Sequence, residues 1–171
     1  MSDSTITIRR MTEEDLEAVH ALEVMCFPTP WPLKSFRYEL EENAASRQWV
    51  AVQPAADGQP EEIIGMLVAW LLVDLTHIAT LAVHPDRRRQ RLAYQLVCTA
   101  LNETLDEGAV SATLEVRESN SAAQILYRRF GFQLAGKRPN YYQDNGEAAI
   151  IMTLHTLDKD HLMTIRCIPF E

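Results

Sequence analysis

Two apolar runs, residues 63–73 and 75–83, stand almost back to back, with only a short break at Asp74 between them. Both are rich in β-branched and bulky side chains, which suit strands better than helices. Neighbouring central strands are expected there, and the remaining segments must supply the layers that cover them. Pro85 marks the end of the second strand, because proline cannot continue a ladder of hydrogen bonds.

Upstream, Ile6 and Ile8 alternate with polar residues in the manner of a half-buried strand. Thr12 with Asp15 three residues later resembles a capping box, and Leu16, Val19 and Leu22 form an apolar stripe at helical spacing. Pro28, Pro30 and Pro32 forbid a regular helix between them. Pro32 suits the first turn of a second helix, whose apolar face is Leu33, Phe36 and Leu40. Residues 49–53 read as a strand, and residues 54–62, with Asp57-Gly58, as a loop. Downstream, Leu92, Leu96, Val97, Ala100, Leu101 and Leu105 repeat at helical spacing before Gly108, a natural helix stop. Residues 112–116 read as a strand. A helix follows from Asn120 to about Phe130, with Ala123, Leu126, Tyr127 and Phe130 on one face and Gly131 ending it. Residues 132–135 and 148–154 are the last two strands. The order β-α-α-β-β-β-α-β-α-β-β implies a mixed α/β domain around one sheet. Residues 1–171 are expected to form a single domain with a core at about 6–154. Residues 155–171 are an extension of unknown role.

The net charge is −8, from 24 acidic and 16 basic side chains. A general nucleic-acid binder is usually basic, so direct nucleic-acid binding is not expected, whereas an acidic chain is compatible with an amine substrate. The start, Met1-Ser2-Asp3-Ser4, lacks the basic-then-apolar pattern of a signal peptide, and the longest apolar run is too short to span a bilayer. A cytoplasmic protein without membrane contact is expected. Cys26, Cys98 and Cys167 are odd in number and far apart, which supports neither a disulfide framework nor a zinc site. Reduced thiols are expected, with Cys98 as core. His77 and His84 lack a completing carboxylate–cysteine set, so no metal is expected and structural or surface roles are assigned to both.

Three places carry chemistry. At residues 83–93 a strand gives way to a basic loop and a helix start. Free amides and the positive dipole end there suit a phosphate, and arginines add bidentate hydrogen bonds. A solvated basic turn is the plainer reading. Glu115 sits within an apolar strand pattern, with Leu114 and Val116 on the opposite face. It either lines a cleft, which is costly unless the group is partnered or functional, or points to solvent from an edge strand. Tyr127 lies on the apolar face of its helix and by itself reads as a core tyrosine.

Together these pieces resemble the GNAT superfamily of N-acetyltransferases. The similarity runs through the strand Leu81-Ala82-Val83-His84-Pro85, the arginine-rich helix start, and Ser119-Asn120 followed by Ala122, Leu126, Tyr127, Gly131 and Phe132. Within that superfamily the chain is most similar to the RimI-type enzymes, which acetylate the N-terminal alanine of a small-subunit ribosomal protein. Leu114-Glu115-Val116-Arg117-Glu118-Ser119-Asn120, Arg138-Pro139-Asn140-Tyr141-Tyr142, Ala149-Ile150-Ile151-Met152 and Phe27-Pro28-Thr29-Pro30-Trp31 carry that narrower likeness. The resemblance implies a GNAT fold, a central mixed sheet flanked by about four helices, and direct transfer of acetyl from acetyl-CoA to an amine. It implies Glu115 as general base and Tyr127 as general acid. Leu81 and Val83 would pair with the pantetheine arm. Arg88, Arg89, Gln90, Arg91, Leu92 and Ala93 would form the pyrophosphate cradle, with Asn120 and Tyr127 near the reactive end. Phe27, Trp31, Tyr141 and Tyr142 would face the acceptor peptide. A lysine or small-molecule amine acceptor, or a non-catalytic binding domain of the same fold, are the alternative readings. Two positions depart from the family pattern. Arg91 stands where the cradle usually has its first glycine, from which weakened but retained acetyl-CoA binding is expected. Ala148 replaces a common aspartate.

Overall fold

The structure is a computed structural model, and it describes residues 5–55 and 60–167. The Met1-Ser2-Asp3-Ser4 segment, Asp57-Gly58 and the last four positions of the extension lie outside the described residues.

Seven strands form one sheet. They are β1 (Thr7–Arg10), β2 (Ser46–Gln53), β3 (Glu62–Leu72), β4 (Leu75–Val83), β5 (Ser111–Arg117), β6 (Gln133–Arg138) and β7 (Ala149–Leu154). Their spatial order is β1-β2-β3-β4-β5-β7-β6. Every neighbouring pair is antiparallel except β4–β5. The helices are α1 (Leu16–Cys26), α2 (Leu33–Glu41), α3 (Leu92–Asp106), α4 (Ser121–Arg129) and α5 (Lys159–Thr164). The element order is the expected one, with α5 added in the extension.

The alternation of β2 shows how the layers separate. Val50 and Val52 pack with Leu16, Val19, Leu22 and Phe36 of α1 and α2. Trp49 and Ala51 pack on the opposite face with Leu92, Leu96 and Leu101 of α3. Tyr127 and Phe130 of α4 join that second core. Successive strand residues must point to opposite faces, so one strand feeds both layers. Thr12 acts at the start of a short 3-10 turn, Glu13–Asp15, which leads into α1. Its N–H donates to Asp15 Oδ2 at 2.8 Å, and Arg9 holds the same carboxylate at 2.7 and 2.9 Å.

The extension is not loose. Leu157, Leu162 and Cys167 are buried in the α3-side core, Tyr94 Oη donates to Ile165 O at 2.9 Å, and His161 Nε2 lies 2.7 Å from Phe130 O. This packing corrects the reading of the cysteines. Cys98 is core, as expected, but it is joined to Cys167 in a disulfide whose Cα atoms are 5.3 Å apart. The 69-residue separation of the pair gave no hint of it. The return of the chain over α3 makes it possible.

Candidate active site

The one parallel pair creates the site. The β4–β5 ladder runs from Leu75↔Ser111 to Ile78↔Leu114 and stops. On the other edge of β4, Val68 pairs with Thr80 and Ala69 with Ile78, so Ala79 is an extra residue without a partner on β3. A bulge of this kind bends the strand that carries it. Past Ile78 the β5-facing edge of β4 has no strand partner among the described residues. A cavity of about 590 Å³ opens there, lined by residues 78–81 of β4 and 115–117 of β5.

Glu115 lines this cavity. Leu114 and Val116 are buried on the opposite face, and β5 lies between β4 and β7, so the edge-strand reading does not apply. Its Oε2 is 2.7 Å from His77 Nε2, an N–H···O⁻ bond whenever the carboxylate is ionised. Arg138 Nη2 stands 3.7 Å from Oε1. Trp70 meets the His77 ring edge-on at 5.1 Å. A structural or surface role was expected for His77. The structure sets His77 beside Glu115, and His84 accepts from Asp86 N–H.

Tyr127 also lines the cavity, from α4. Its ring is packed edge-on to Phe132 at 5.6 Å. Among the described residues no partner is found for its hydroxyl, so the phenol is not tied to a carbonyl as a purely structural tyrosine would be. Burial, reinforced by the neighbouring Tyr142, pushes its ionisation well above the usual phenol range. It is therefore a neutral O–H donor at any working pH.

The residues expected on the acceptor side converge from two loops. Phe27 and Trp31 line the cavity within the three-proline segment, and Trp31 stacks on Trp70 at 6.4 Å. Opposite them Tyr141 and Tyr142 line the cavity from the loop between β6 and β7. Arg117 anchors that loop. Its guanidinium lies 3.9 Å over the Tyr142 ring and donates to both oxygens of Asp144 at 2.9 and 3.0 Å. Glu147 accepts from Ser119 N–H at 2.6 Å, and hydrogen bonds from Ser119, then Arg117 and Asn145, hold its carboxyl down at about 2.

The residues expected on the donor side divide. Leu81 and Asn120 line the cavity, whereas Val83 and the segment 88–93 do not. Asn120 is also the cap of α4, its Oδ1 accepting from Ala123 N–H at 3.1 Å. Ahead of α3, a helix with no side-chain cap, Gln95 N–H reaches Arg91 O. Among the described residues the N–H groups of Leu92, Ala93 and Tyr94 have no acceptor, as a helix start requires. Arg89 and Arg91 both adopt left-handed backbone, φ 62° and 64°. Arg91 thus occupies a conformation that suits glycine, and its guanidinium lies over the Tyr94 ring at 5.4 Å. Leu92 is buried, its side chain packed in the α3-side core.

Glu23 was not singled out from the sequence. It lines the cavity yet is 2% exposed. Trp31 N–H donates to its Oε1 at 3.2 Å and Thr80 Oγ1 to its Oε2 at 3.4 Å. Burial raises its carboxyl to about 7 against the lowering effect of those two donors. The signal was available, because positions 16, 19 and 23 share one helical face, and Glu23 interrupts an apolar stripe.

This fold and cleft define a class. The family model described as the acetyltransferase (GNAT) family matches residues 16–132. The chain belongs to that family and is an N-acetyltransferase. A protein of Bacillus subtilis (strain 168) with the provisional name [ribosomal protein bS18]-alanine N-acetyltransferase is 38% identical over 145 residues, 85% of this chain and 92% of that one. The crystal structure of the ribosomal-protein-S18-alanine N-acetyltransferase from Escherichia coli is similar with a TM-score of 0.77 and 29% identity, over 91% of this chain and 97% of that one. A chain in the crystal structure of the NatC complex bound to Gag peptide and CoA has a TM-score of 0.76 and 25% identity, over 88% of this chain and 98% of that one.

Proposed function

We propose that this protein transfers the acetyl group of acetyl-CoA to a protein N-terminal α-amino group, that of the N-terminal alanine of a small-subunit ribosomal protein. The observation that carries the reading is that Glu115 and Tyr127 line one cavity, between the splayed ends of β4 and β5. The names of the relatives support the acceptor, and the CoA in the NatC complex supports the donor.

The donor fits what the chain offers. The unpaired edge of β4, with Leu81 and Val83, would take an extended polar arm by strand-like hydrogen bonding. The open amides at the start of α3, with Arg88, Arg89, Gln90, Arg91, Leu92 and Ala93, would cradle a pyrophosphate. Asn120 would stand near the reactive end.

Glu115 acts as general base and takes the proton of the acceptor ammonium. The freed nitrogen pair forms the N–C bond to the thioester carbonyl carbon, and the C–S bond breaks with its pair on sulfur. Tyr127 gives its proton to that thiolate, and the second proton, which the nitrogen sheds as it becomes an amide, restores the Tyr127 phenol. A free α-amino group has a pKa of about 7.7–8.0 against about 10.4 for lysine, so a carboxylate base deprotonates the first far more readily. Phe27, Trp31, Tyr141 and Tyr142 flank the acceptor's first residues. No metal is called for in this chemistry. The reaction belongs in the cytoplasm, where the Cys98–Cys167 bond would persist only as a reducible pair.

The test is acetyl transfer to peptides beginning with alanine, serine or methionine, beside a peptide whose only free amine is a lysine. Preference for N-terminal alanine is expected. Turnover confined to lysine or to small amines would overturn the reading.

A further inference from the structure

Glu23, Glu115 and Asp144 line the cavity, and Glu23 and Glu115 are not equivalent. Glu115 has a histidine nitrogen at 2.7 Å and a guanidinium at 3.7 Å. Among the described residues Glu23 has only neutral donors, the Trp31 amide and the Thr80 hydroxyl. An almost fully buried carboxylate without a cation is costly. A chain that keeps one on the wall of a binding cavity has a negative charge waiting for a positive partner.

The charged and titratable groups around the cavity do not supply that partner. On α1 itself Cys26 also lines the cavity, its thiol raised by burial. Cys26 is in turn approached by Arg88 from the loop ahead of α3. Arg117 of β5 is committed to Asp144 and Glu147. From α4 and from the loop between β6 and β7 come the phenols of Tyr127 and Tyr142 and the carboxylate of Asp144, none of them cationic.

Glu23 also sits at a mechanical junction. Pro28, Pro30 and Pro32 have no N–H, so residues 28–32 offer only the amides of Thr29 and Trp31, and Glu23 holds the second. Its other oxygen is held by Thr80, beside the bulge residue Ala79. One side chain therefore ties the Trp31 wall to the strand whose bend opens the cavity.

We infer that Glu23 is the specificity residue that recognises the positive charge of the acceptor's α-ammonium group, through an uncompensated buried carboxylate at the foot of the Trp31 wall. This deepens the function proposed above and rests on it. Glu23 favours the ammonium on binding. The proton is then removed by Glu115, not by Glu23. The raised carboxyl of Glu23 gives the recognition a pH dependence. Its ionised form, and with it the preference for a cation, is lost as pH falls through about 7.

Glu23→Gln separates charge from scaffold. The amide oxygen still accepts from Trp31 N–H, and the amide nitrogen can donate to Thr80 Oγ1, so the wall keeps its ties. The probe is calorimetric binding to the enzyme–CoA complex of one peptide with N-terminal alanine, in free-amine and N-acetylated forms. This reads charge recognition without turnover. At about pH 8 the wild type is expected to bind the free-amine form roughly ten-fold more tightly than the acetylated form, a factor worth ~1.4 kcal/mol. In Glu23→Gln the ratio falls to about two-fold or less, with the affinity for the acetylated form unchanged, and at about pH 6 the wild-type ratio falls toward that of the variant. An unchanged ratio in the variant overturns the inference, as does a wild type that does not discriminate. Equal loss of affinity for both forms assigns Glu23 to the wall alone and overturns it too. The separate wild-type transfer assay shows whether the proposed function itself has failed.

Discussion

At the scale of single residues, the catalytic assignment rests on two environments pushed apart. Tyr127 is kept protonated by burial and has no competing acceptor among the described residues, while Glu115 is held by His77 and Arg138. Removal of a positioned general base costs roughly 10²–10⁴-fold in rate. Glu115→Gln should show that loss most strongly below about pH 8, where the acceptor amine is charged. Tyr127→Phe should slow turnover while leaving acetyl-CoA affinity within about two-fold, as expected of a group needed only when the thiolate departs. Wild-type rates in both variants, measured from about pH 6 to 9, would remove them from the mechanism. Arg91 makes a second case. A side chain at φ 64° costs roughly 1 kcal/mol relative to glycine. Arg91→Gly should therefore raise the unfolding free energy by up to about 1 kcal/mol and tighten acetyl-CoA several-fold, because the loop amides could approach the pyrophosphate more closely. Unchanged calorimetric affinity would refute that account of Arg91. Much of this was legible in the residues themselves, since period-two alternation sets Glu115 against Leu114 and Val116. His77 was not legible as a partner, because the parallel pairing of β4 with β5 that brings it to Glu115 leaves no mark in the local pattern.

At the scale of elements, the site depends on segments whose ends are fixed by packing. Strand and helix cores followed the apolar periodicity closely, and β4 has the bounds read from its sequence. The bulge at Ala79 could not be read in advance, for it is a register shift against β3 and nothing in Ala79-Thr80 demands it. The extension was equally opaque, because a six-residue helix, α5, has too short a period to recognise. Yet α5 buttresses α3 and α4. Leu162 is 2% exposed in the core that holds α3 and α4, and Ile165 receives the Tyr94 hydroxyl from the first turn of α3. Leu162→Ala should destabilise the fold by about 2–4 kcal/mol, the usual cost of a buried leucine truncation. The ends that move are those of α3 and α4, so acetyl-CoA affinity should weaken alongside stability while Glu115 and His77 stay paired. A denaturant midpoint equal to that of the wild type would show that α5 contributes nothing to the core.

At the scale of the whole molecule, charge becomes the organising quantity. The chain carries −8 overall, and the cavity adds local negative groups, with Glu23 and Glu115 on its walls and Asp144 at its rim. Arg117, which lines the cavity, is committed to Asp144 and Glu147. An acidic body with an acidic cleft raises the local concentration of a cationic peptide and speeds its encounter, an effect that salt screens within about 10 Å at 0.1 M. A ribosomal-type acceptor, rich in lysine and arginine, would profit from that field over its whole length, whereas a neutral peptide with the same N-terminal alanine would feel only the charge at its amine. The value of kcat/KM for a basic N-terminal peptide should therefore fall several-fold between about 50 mM and 500 mM salt, with kcat nearly constant. For the neutral peptide the fall should be less than about two-fold. Because the acetyl donor is an anion, the measurement needs saturating acetyl-CoA, so that the salt dependence reports on the acceptor alone. A rate that is flat or rising for the basic peptide under those conditions would mean that the acidic surface does not guide the acceptor, and that its selection lies wholly in the contacts within the cavity.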